Sequence, residues 1–140
     1  MPHVAHVTLV VPDYDAALAF YVGKLGFALV EDTPIGTKRW VTIRPPGAPG
    51  HATMILLARA SFDHQAGYIG DQAGGRVFLF LATDDFARDH AAFTAAGVAW
   101  VRPPADHDYG RVAVFSDLYG NLWDLVQFAP GRPAASQPRP

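Results

Sequence analysis

The sequence predicts an α+β fold made of two βαβββ modules, and three observations support this prediction. First, an apolar strand, an acidic turn, an amphipathic helix, a glycine and a second strand occur in residues 6–30 and again in residues 78–101. Second, each occurrence is followed by two further strand-like segments. Third, the 140 residues fit one domain with a buried core. An internal repeat of this kind predicts two modules packed around one shared site.

The first module is predicted to span residues 4–58. Residues 4–11 (VAHVTLVV) form a short apolar run rich in β-branched residues, which is typical of a buried strand. Asp13 is a suitable N-cap for the next helix, and Gly26 ends that helix as a left-handed cap. The apolar stripe of the helix consists of Ala17, Leu18, Tyr21 and Leu25. Further strands are predicted at residues 27–32, 38–44 and 52–58.

The second module is predicted to span residues 76–128, after an irregular connector at residues 59–75. The acidic pair at residues 84–85 suits a helix N-terminus. The predicted elements are strand 76–83, helix 85–96, strand 98–102, loop 103–109, strand 110–116, turn Asp117–Asn121 and strand 122–128. Together the modules make one domain over residues 1–128, and the Pro-rich residues 129–140 are predicted to be a disordered tail.

Composition argues against several classes of function. The formal net charge of −2 gives no reason to expect nucleic acid or an anionic membrane as a partner. No apolar run reaches the roughly 18–20 residues that a membrane span needs, and the first residues lack the basic region of a signal peptide. The absence of cysteine removes disulfides, zinc–thiolate sites and thiol catalysis. We therefore expect a cytoplasmic protein. The sequence also contains no Gly-rich phosphate loop, no nucleophile elbow and no H-E-x-x-H motif.

Two segments carry a resemblance to a known family: HVTLVVPDYDAALAFYVGKLGF in the first half and AVFSDLYGNLWDLVQF in the second. The second segment is similar to an Asp-Pro-Asp-Gly-Asn turn followed by a last strand. In this order and spacing they resemble the vicinal oxygen chelate superfamily, which includes glyoxalase I, bleomycin-resistance proteins, fosfomycin-resistance enzymes and extradiol dioxygenases. The resemblance implies a curved mixed sheet around a cup-shaped cavity, with the helices on the convex face. It also implies that two chains pair as a homodimer.

The resemblance further implies four metal-ligand positions, one on each of four strands. They fall on His6, Leu56, Phe78 and Asp124. A catalytic divalent metal usually has at least three protein ligands and an open position, and Leu56 and Phe78 offer no lone pairs. We therefore expect no metal or other cofactor, although a site formed by His6 with His107 or Asp106 from a nearby loop is an open alternative. A second alternative is that His6 and Asp124 hydrogen-bond each other or the backbone.

The alternation of side chains along strands predicts what lines the cup. The predicted ligand-binding residues are His6, Thr8, Trp40, Thr42, Arg44, Leu56, Phe78, Phe80, His107, Tyr109 and Asp124. An apolar and aromatic lining with a few polar groups is the ordinary composition of a small-molecule pocket, although the same aromatic side chains also fit a filled core. Trp123 and Leu125 are predicted to face a helix. Loops at residues 61–75 and 103–110 are predicted to close the pocket.

Three functions fit these features. The first is a protein that binds a small hydrophobic or aromatic molecule such as an antibiotic, as bleomycin-resistance proteins do, with Arg44 and Arg111 available for an anionic group. The second is a glyoxalase-I-like lyase or isomerase, or a dioxygenase-related enzyme, with His6 and Asp124 as catalytic residues. The third is a domain for partner interaction with a filled core. The missing ligands and the aromatic cup favour the binding protein.

Overall fold

The computed structural model of the protein describes residues 1–131. The chain divides into two compact units, Met1–Gln72 and a second unit that begins at Ala73. Each unit is one βαβββ module with its own four-stranded mixed sheet, which confirms the predicted α+β fold. That the two sheets enclose one cup stays a prediction. The predicted disordered tail lies outside the described residues except for residues 129–131.

The first unit holds one four-stranded sheet and two helices. Its elements are β1 (His6–Val11), α1 (Tyr14–Tyr21), β2 (Ala28–Ile35), β3 (Lys38–Arg44), β4 (Met54–Arg59) and α2 (Asp63–Ala66). The strand order is β1-β4-β3-β2, with β1 parallel to β4 and the other pairs antiparallel. The short helix α2 lies inside the connector that the sequence predicts to be irregular. One face of the sheet is buried, and its buried side chains are Leu9, Val11, Val41, Ile43, Ile55 and Leu57.

Helix α1 begins as predicted but buries a different set of side chains. The Asp13 carboxylate accepts a hydrogen bond from the Ala16 backbone N–H at 2.7 Å, which satisfies one of the free donors of the first turn. Leu18, predicted for the apolar stripe, is only partly buried. The residues of α1 that the structure buries are Tyr14, Ala17, Phe20 and Tyr21. The prediction that Gly26 ends the helix is wrong, because α1 ends at Tyr21 and turns lead on to Gly26, which nevertheless has the predicted left-handed φ of 76°.

The second unit repeats this arrangement. Its elements are β5 (Val77–Ala82), α3 (Phe86–Ala95), β6 (Ala99–His107), β7 (Gly110–Ser116) and β8 (Leu122–Phe128). The strand order is β5-β8-β7-β6, again with the outer first strand parallel to the last. The Asp85 carboxylate caps α3 by accepting a hydrogen bond from the Arg88 N–H at 3.0 Å. The acidic turns of the two repeats therefore have the same structural role.

The loop predicted at residues 103–109 is wrong, because β6 continues through it to His107. The sequence suggested a loop since Pro103 and Pro104 have no backbone N–H to donate to a neighbouring strand. β6 is an edge strand, and its pairing with β7 shifts register between Arg102 and Ala105, across the two prolines. Edge positions and register shifts are where a strand tolerates proline. The loop shrinks to the hairpin turn at residues 108–109.

An aromatic cluster joins α3 to the second sheet. The ring of Phe115 lies 5.5 Å from that of Phe93 on α3 and stacks on Trp123 at 5.9 Å. Trp123 is 2% exposed and Leu125 is fully buried, as expected for side chains that face a helix. The burial of these large rings adds apolar area to this core. Within residues 1–131, none of the helices has the length and hydropathy required for a membrane span.

Candidate functional site

The predicted binding residues of the first unit share one face of its sheet. We call this face, which carries His6, Thr8, Trp40, Thr42 and Leu56, the His6 face. Leu56 pairs with Thr8 on one side and with Thr42 on the other, so these three side chains form a row across the sheet. The rings of His6 and Trp40 meet edge to face, with centroids 5.7 Å apart and planes at 74°. The structure therefore brings together the residues that alternation predicts for this module.

Polar groups on the His6 face differ in how available they are. Thr8 is exposed, whereas Thr42 is 2% exposed and cannot reach a ligand without movement of its neighbours. The Arg44 guanidinium donates a hydrogen bond to the Gly50 carbonyl at 3.1 Å, which holds it toward the β3–β4 turn. Its predicted contact with an anionic group stays a prediction. His6 and Thr8 are the polar side chains best placed on this face.

The connector after β4 lies against β1. The Gln72 side-chain oxygen accepts a hydrogen bond from the Val10 backbone N–H at 3.3 Å. The rings of His64 and Tyr68 meet edge to face at 5.4 Å, and Phe62 and Tyr68 remain about half exposed, at 59% and 49%. Two exposed aromatic side chains next to an edge strand are compatible with the predicted role of this segment as a pocket wall, which stays a prediction.

The second unit has a corresponding row of side chains. We call the face that carries Phe80, Arg102, Val114 and Asp124 the Asp124 face. Asp124 pairs with Phe80 on β5 and with Val114 on β7, and Val114 pairs with Arg102 on β6. Phe80 is 57% exposed, so it does not fill a core. Arg102 is a member that the sequence did not predict, because a register shift between Trp100 and Arg102 interrupts the alternation of β6.

Asp124 has the chemistry of a carboxyl group held in a partly apolar environment. Burial raises its pKa, because the charged form loses hydration, and the positive charge of Arg102 opposes this effect without cancelling it. Asp124 therefore keeps its proton to a higher pH than an exposed aspartate. Such a group can accept a hydrogen bond or exchange a proton with a ligand, depending on pH.

Phe78 does not follow the alternation predicted for β5. The pairing of β5 with β8 shifts register between Val77 and Leu79, which places Phe78 at the irregularity. Its ring meets Trp123 edge to face, with centroids 6.1 Å apart and planes at 89°. Trp123 belongs to the aromatic cluster under α3, so Phe78 packs with that cluster. A bulge changes the face on which the following side chains lie, and nothing in the local sequence marks this one.

His107 and Tyr109 lie at the β6–β7 hairpin, where their rings stack at 5.2 Å with planes only 5° apart. A groove of about 560 Å³ lies beside them. It is lined by Asp84, Asp85, Phe86, Ala87, Asp106, His107, Gly110, Arg111, Gln127, Phe128, Ala129 and Pro130. The Arg111 guanidinium donates to both carboxylate oxygens of Asp106, at 2.8 and 3.2 Å, which lowers the pKa of Asp106. The positive charge of Arg111 is thus already paired.

The residues at the metal-ligand positions of the resemblance do not fit a divalent metal. Leu56 and Phe78 carry no lone pairs, and Phe78 packs against Trp123. In the described part of the chain, no three His, Asp or Glu side chains are grouped closely enough to hold an ion. Asp106, a neighbour of His107, is engaged by Arg111. The residues at these four positions therefore do not support a metal-dependent chemical step.

A protein-family model for the Glyoxalase/Bleomycin resistance protein/Dioxygenase superfamily matches residues 3–125, and the chain belongs to this superfamily. An uncharacterized protein from Shewanella frigidimarina (strain NCIMB 400) is 56% identical over 132 residues, covering 93% of this chain and 96% of that protein. The crystal structure of UcmS2 is similar with a TM-score of 0.78 and 30% identity, covering 90% of this chain and 98% of that chain. TnmS3, an antibiotic binding protein from Streptomyces sp. CB03234, has a TM-score of 0.73 and 33% identity, covering 92% and 98%.

Proposed function

We propose that this protein binds and sequesters a small hydrophobic or aromatic molecule, such as an antibiotic. The observation that carries the proposal is the aromatic pair on the His6 face, where His6 and Trp40 meet at 5.7 Å. The similarity to TnmS3, an antibiotic binding protein, supports the same class of ligand. Membership in this superfamily alone does not distinguish a binding protein from an enzyme, because function depends on the site rather than on the fold.

The His6 face offers the contacts that an aromatic ligand needs. The partly buried ring of Trp40 presents an apolar surface for stacking, which contributes about 0.5–1.5 kcal/mol beyond the burial of area. Leu56 adds an apolar surface in the middle of the sheet, and the His6 imidazole and the Thr8 hydroxyl are polar groups that can orient the ligand. An aromatic ligand would therefore be held mainly by stacking and oriented by two hydrogen bonds.

Tryptophan fluorescence tests this proposal directly. The chain has three tryptophans, so the signal of Trp40 is isolated by comparing variants. We would titrate bleomycin, tetracycline and novobiocin into the wild-type protein, with free tryptophan amide as the inner-filter control. We expect at least one compound to quench the fluorescence with a Kd below about 100 μM. Trp40→Phe should abolish this quenching.

Trp100→Phe is the matched control. Trp100 packs on His90 at 4.3 Å and donates to Thr94 at 2.9 Å, within the α3 side of the second unit. Its removal should lower the total fluorescence but leave the ligand-dependent quenching intact. Quenching that survives Trp40→Phe, or a panel in which no compound binds, would contradict the proposal.

A second candidate function rests on the raised pKa of Asp124. A carboxyl group whose pKa is raised by burial is suited to proton transfer, as a lyase or isomerase of the glyoxalase type requires. The test is conversion of the hemithioacetal of methylglyoxal and glutathione, followed by absorbance. If this candidate is correct, the wild type turns over the substrate, and Asp124→Asn and His6→Ala abolish turnover while both variants remain folded.

The proposal includes a homodimer in the cytoplasm. The homodimer is carried over from the family resemblance, and the location from the composition of the chain. Light scattering on the eluted protein should give twice the mass of one chain. A mass of one chain at micromolar concentration would remove the homodimer from the proposal without affecting the binding site on the His6 face.

A further inference from the structure

The ring of Tyr14 lies at the point where β3 and β4 separate. The pairing of these two strands ends at Val41 and Leu57, although both strands continue beyond that pair. Two residues further along β3, the Arg39 backbone N–H donates a hydrogen bond to the Tyr14 hydroxyl at 3.2 Å. Tyr14 is 3% exposed and comes from the first turn of α1, so it is fixed by the core rather than by the strands.

A cleft of about 250 Å³ opens at this separation, and we call it the Tyr14 cleft. It is lined by Tyr14, Ile35, Lys38, Arg39, Trp40, Leu56, Leu57, Ala58 and Arg59. The volume lies below the roughly 300–1,000 Å³ of pockets for drug-sized ligands, so the cleft suits a smaller molecule. Residues 38–40 of β3 form one side and residues 56–59 of β4 form the other.

The apolar part of the cleft comes from Ile35, Trp40, Leu56 and Ala58. Trp40, Leu56 and Ala58 are partly buried, and Ile35 is 58% exposed at the mouth. A flat or chain-like apolar group that enters between them removes apolar surface from water, which favours binding. This lining favours a ligand with an aromatic or aliphatic body.

The charged part of the cleft is basic, since no carboxylate lines it. The positive charge of Arg39 is paired with carboxylates that lie outside the cleft lining, because its guanidinium forms ion pairs with Asp15 at 2.9 Å and with Asp32 at 2.7 Å. The hydrogen bonds from Arg39 lower the pKa of Asp32, in keeping with a stable pair. Arg39 therefore serves as a structural cation that holds β2, β3 and the start of α1 together.

Lys38 and Arg59 differ from Arg39, because neither forms an ion pair within residues 1–131. The Arg59 guanidinium lies 5.5 Å from the centre of the Tyr14 ring and donates one hydrogen bond to the Thr37 carbonyl at 2.8 Å. A guanidinium has five N–H donors in a fixed plane, so the group is oriented but most of its donors remain for another acceptor. The oriented guanidinium of Arg59 and the exposed ammonium of Lys38 therefore lie beside the apolar side chains of the cleft.

We propose that the Tyr14 cleft binds a small carboxylate with an aromatic or aliphatic body. The carboxylate accepts hydrogen bonds from Arg59 and is attracted by Lys38, while the body packs between Trp40 and Leu56. A planar carboxylate matches the fork of a guanidinium better than any neutral group of the same size. The inference deepens the proposed function and rests on it, because Trp40 belongs both to the His6 face and to this cleft.

The test compares trans-cinnamate with trans-cinnamamide, which have the same shape but differ in charge. Both are titrated into nitrogen-15-labelled protein, and the indole N–H signal of Trp40 is identified by its loss in Trp40→Phe. We expect cinnamate to shift this signal and to bind about tenfold more tightly than cinnamamide, since only the carboxylate accepts charge-assisted hydrogen bonds from the cations. A higher salt concentration should reduce the difference between the two affinities, because it screens the attraction of the carboxylate to the cations.

Two variants connect the preference to the cations of the cleft. Lys38→Gln, at an exposed position that leaves the Tyr14 contacts intact, should reduce the preference for cinnamate about threefold. The double variant with Arg59→Gln should bind the two probes equally, provided its amide spectrum shows an intact fold. Lys24→Gln, which removes an exposed cation outside the lining, is the matched control and should keep the full preference.

Equal binding of the two probes by the wild type would overturn the inference, and so would the absence of any shift of the Trp40 signal with cinnamate. In either case, antibiotic quenching that depends on Trp40 would leave the proposed function standing. A cinnamate preference that Lys38→Gln and the double variant leave unchanged would also overturn it. Selective cinnamate binding without any antibiotic binding would support the cleft as a carboxylate site but would contradict antibiotic sequestration as the proposed function.

Discussion

Asp117 and Asn121 hold each other in the turn before β8. The Asp117 carboxylate accepts hydrogen bonds from the backbone N–H and from the side-chain amide of Asn121, each at 2.9 Å. It also accepts from the Tyr119 N–H at 2.9 Å, and the Asp117 and Asn121 residues are only 4% and 3% exposed. This buried network fixes where β8 begins and therefore which face of the sheet carries Asp124.

Asp117→Ala should lower the free energy of unfolding by about 3 kcal/mol, because it leaves several buried donors without their acceptor. Urea titration followed by circular dichroism measures the change. Asp108→Ala, at the exposed hairpin turn, is the control and should change stability by less than about 0.5 kcal/mol. Similar small effects of both substitutions would show that the turn is held by backbone hydrogen bonds alone.

The two helix caps should contribute equally. Asp13→Ala and Asp85→Ala each remove a carboxylate that accepts a backbone N–H, at 2.7 and 3.0 Å, and should each cost about 1 kcal/mol. Because the caps lie in separate units, the double variant should lose the sum. Asp71→Ala, at an exposed position outside a helix N-terminus, is the control. Strongly unequal losses of stability for the two variants would mean that the acidic turn stabilises the helix in only one of the two units.

Asp124 and Asp106 should affect the pH dependence of stability in opposite directions. Burial raises the pKa of Asp124 above its ordinary value of 3.8, so the native state holds this proton more tightly than the unfolded chain. The stabilisation from this proton is present below the pKa of the unfolded chain, and the unfolding free energy falls as pH rises through the raised native pKa, as proton linkage requires. Asp124→Asn should be more stable than the wild type at pH 7 and lack this decline in thermal unfolding.

The pKa of Asp106 is lowered by its hydrogen bonds with Arg111, so its contribution is present above the pKa of the unfolded chain. That contribution is lost as pH falls through the lowered native pKa. Asp106→Asn should therefore resemble the wild type at the acid end and fall below it at neutral pH. If Asp124→Asn and Asp106→Asn showed the same trend, the assignment of Asp124 as a desolvated carboxyl would be wrong.

Tyr14→Phe should release the Arg39 amide. The substitution keeps the ring but removes the acceptor 3.2 Å from the Arg39 N–H, so this amide should exchange with solvent faster than its neighbours. We expect a loss of stability of about 1 kcal/mol. Tyr109→Phe, whose ring stacks on His107, is the control for removal of a hydroxyl. Unchanged exchange at Arg39 would indicate that its N–H has another acceptor.

Local sequence signals predicted the features that depend on neighbouring residues. The cap at Asp13 and the left-handed Gly26 follow from the chemistry of single positions, and the structure has both. The strand over residues 38–44 also has the predicted bounds. On the His6 face, the strict alternation of β1 and β3 placed His6 and Trp40 on the same side, and their ring contact agrees.

Features that depend on the pairing between strands could not be predicted from the sequence. The register shifts beside Phe78 and before Arg102 are set by neighbouring strands. Alternation alone therefore placed Phe78 wrongly and did not predict Arg102. Pro103 and Pro104 end most strands, yet they are accommodated because β6 lies at an edge. The position of Tyr14 between β3 and β4 depends on a helix, two strands and a backbone donor at once.

The parallel pairing of the first strand of each module with its last strand has a consequence for synthesis on the ribosome. His6 pairs with Met54 and Val77 pairs with Leu122, so each sheet joins the beginning of its module to the end. Neither sheet is complete until nearly all of its module has left the exit tunnel, because one of its two central strands, β4 or β8, is the last to be synthesised. The first module can nevertheless close while the second is still being translated, and until then β1 is an unpaired apolar strand that a chaperone would recognise.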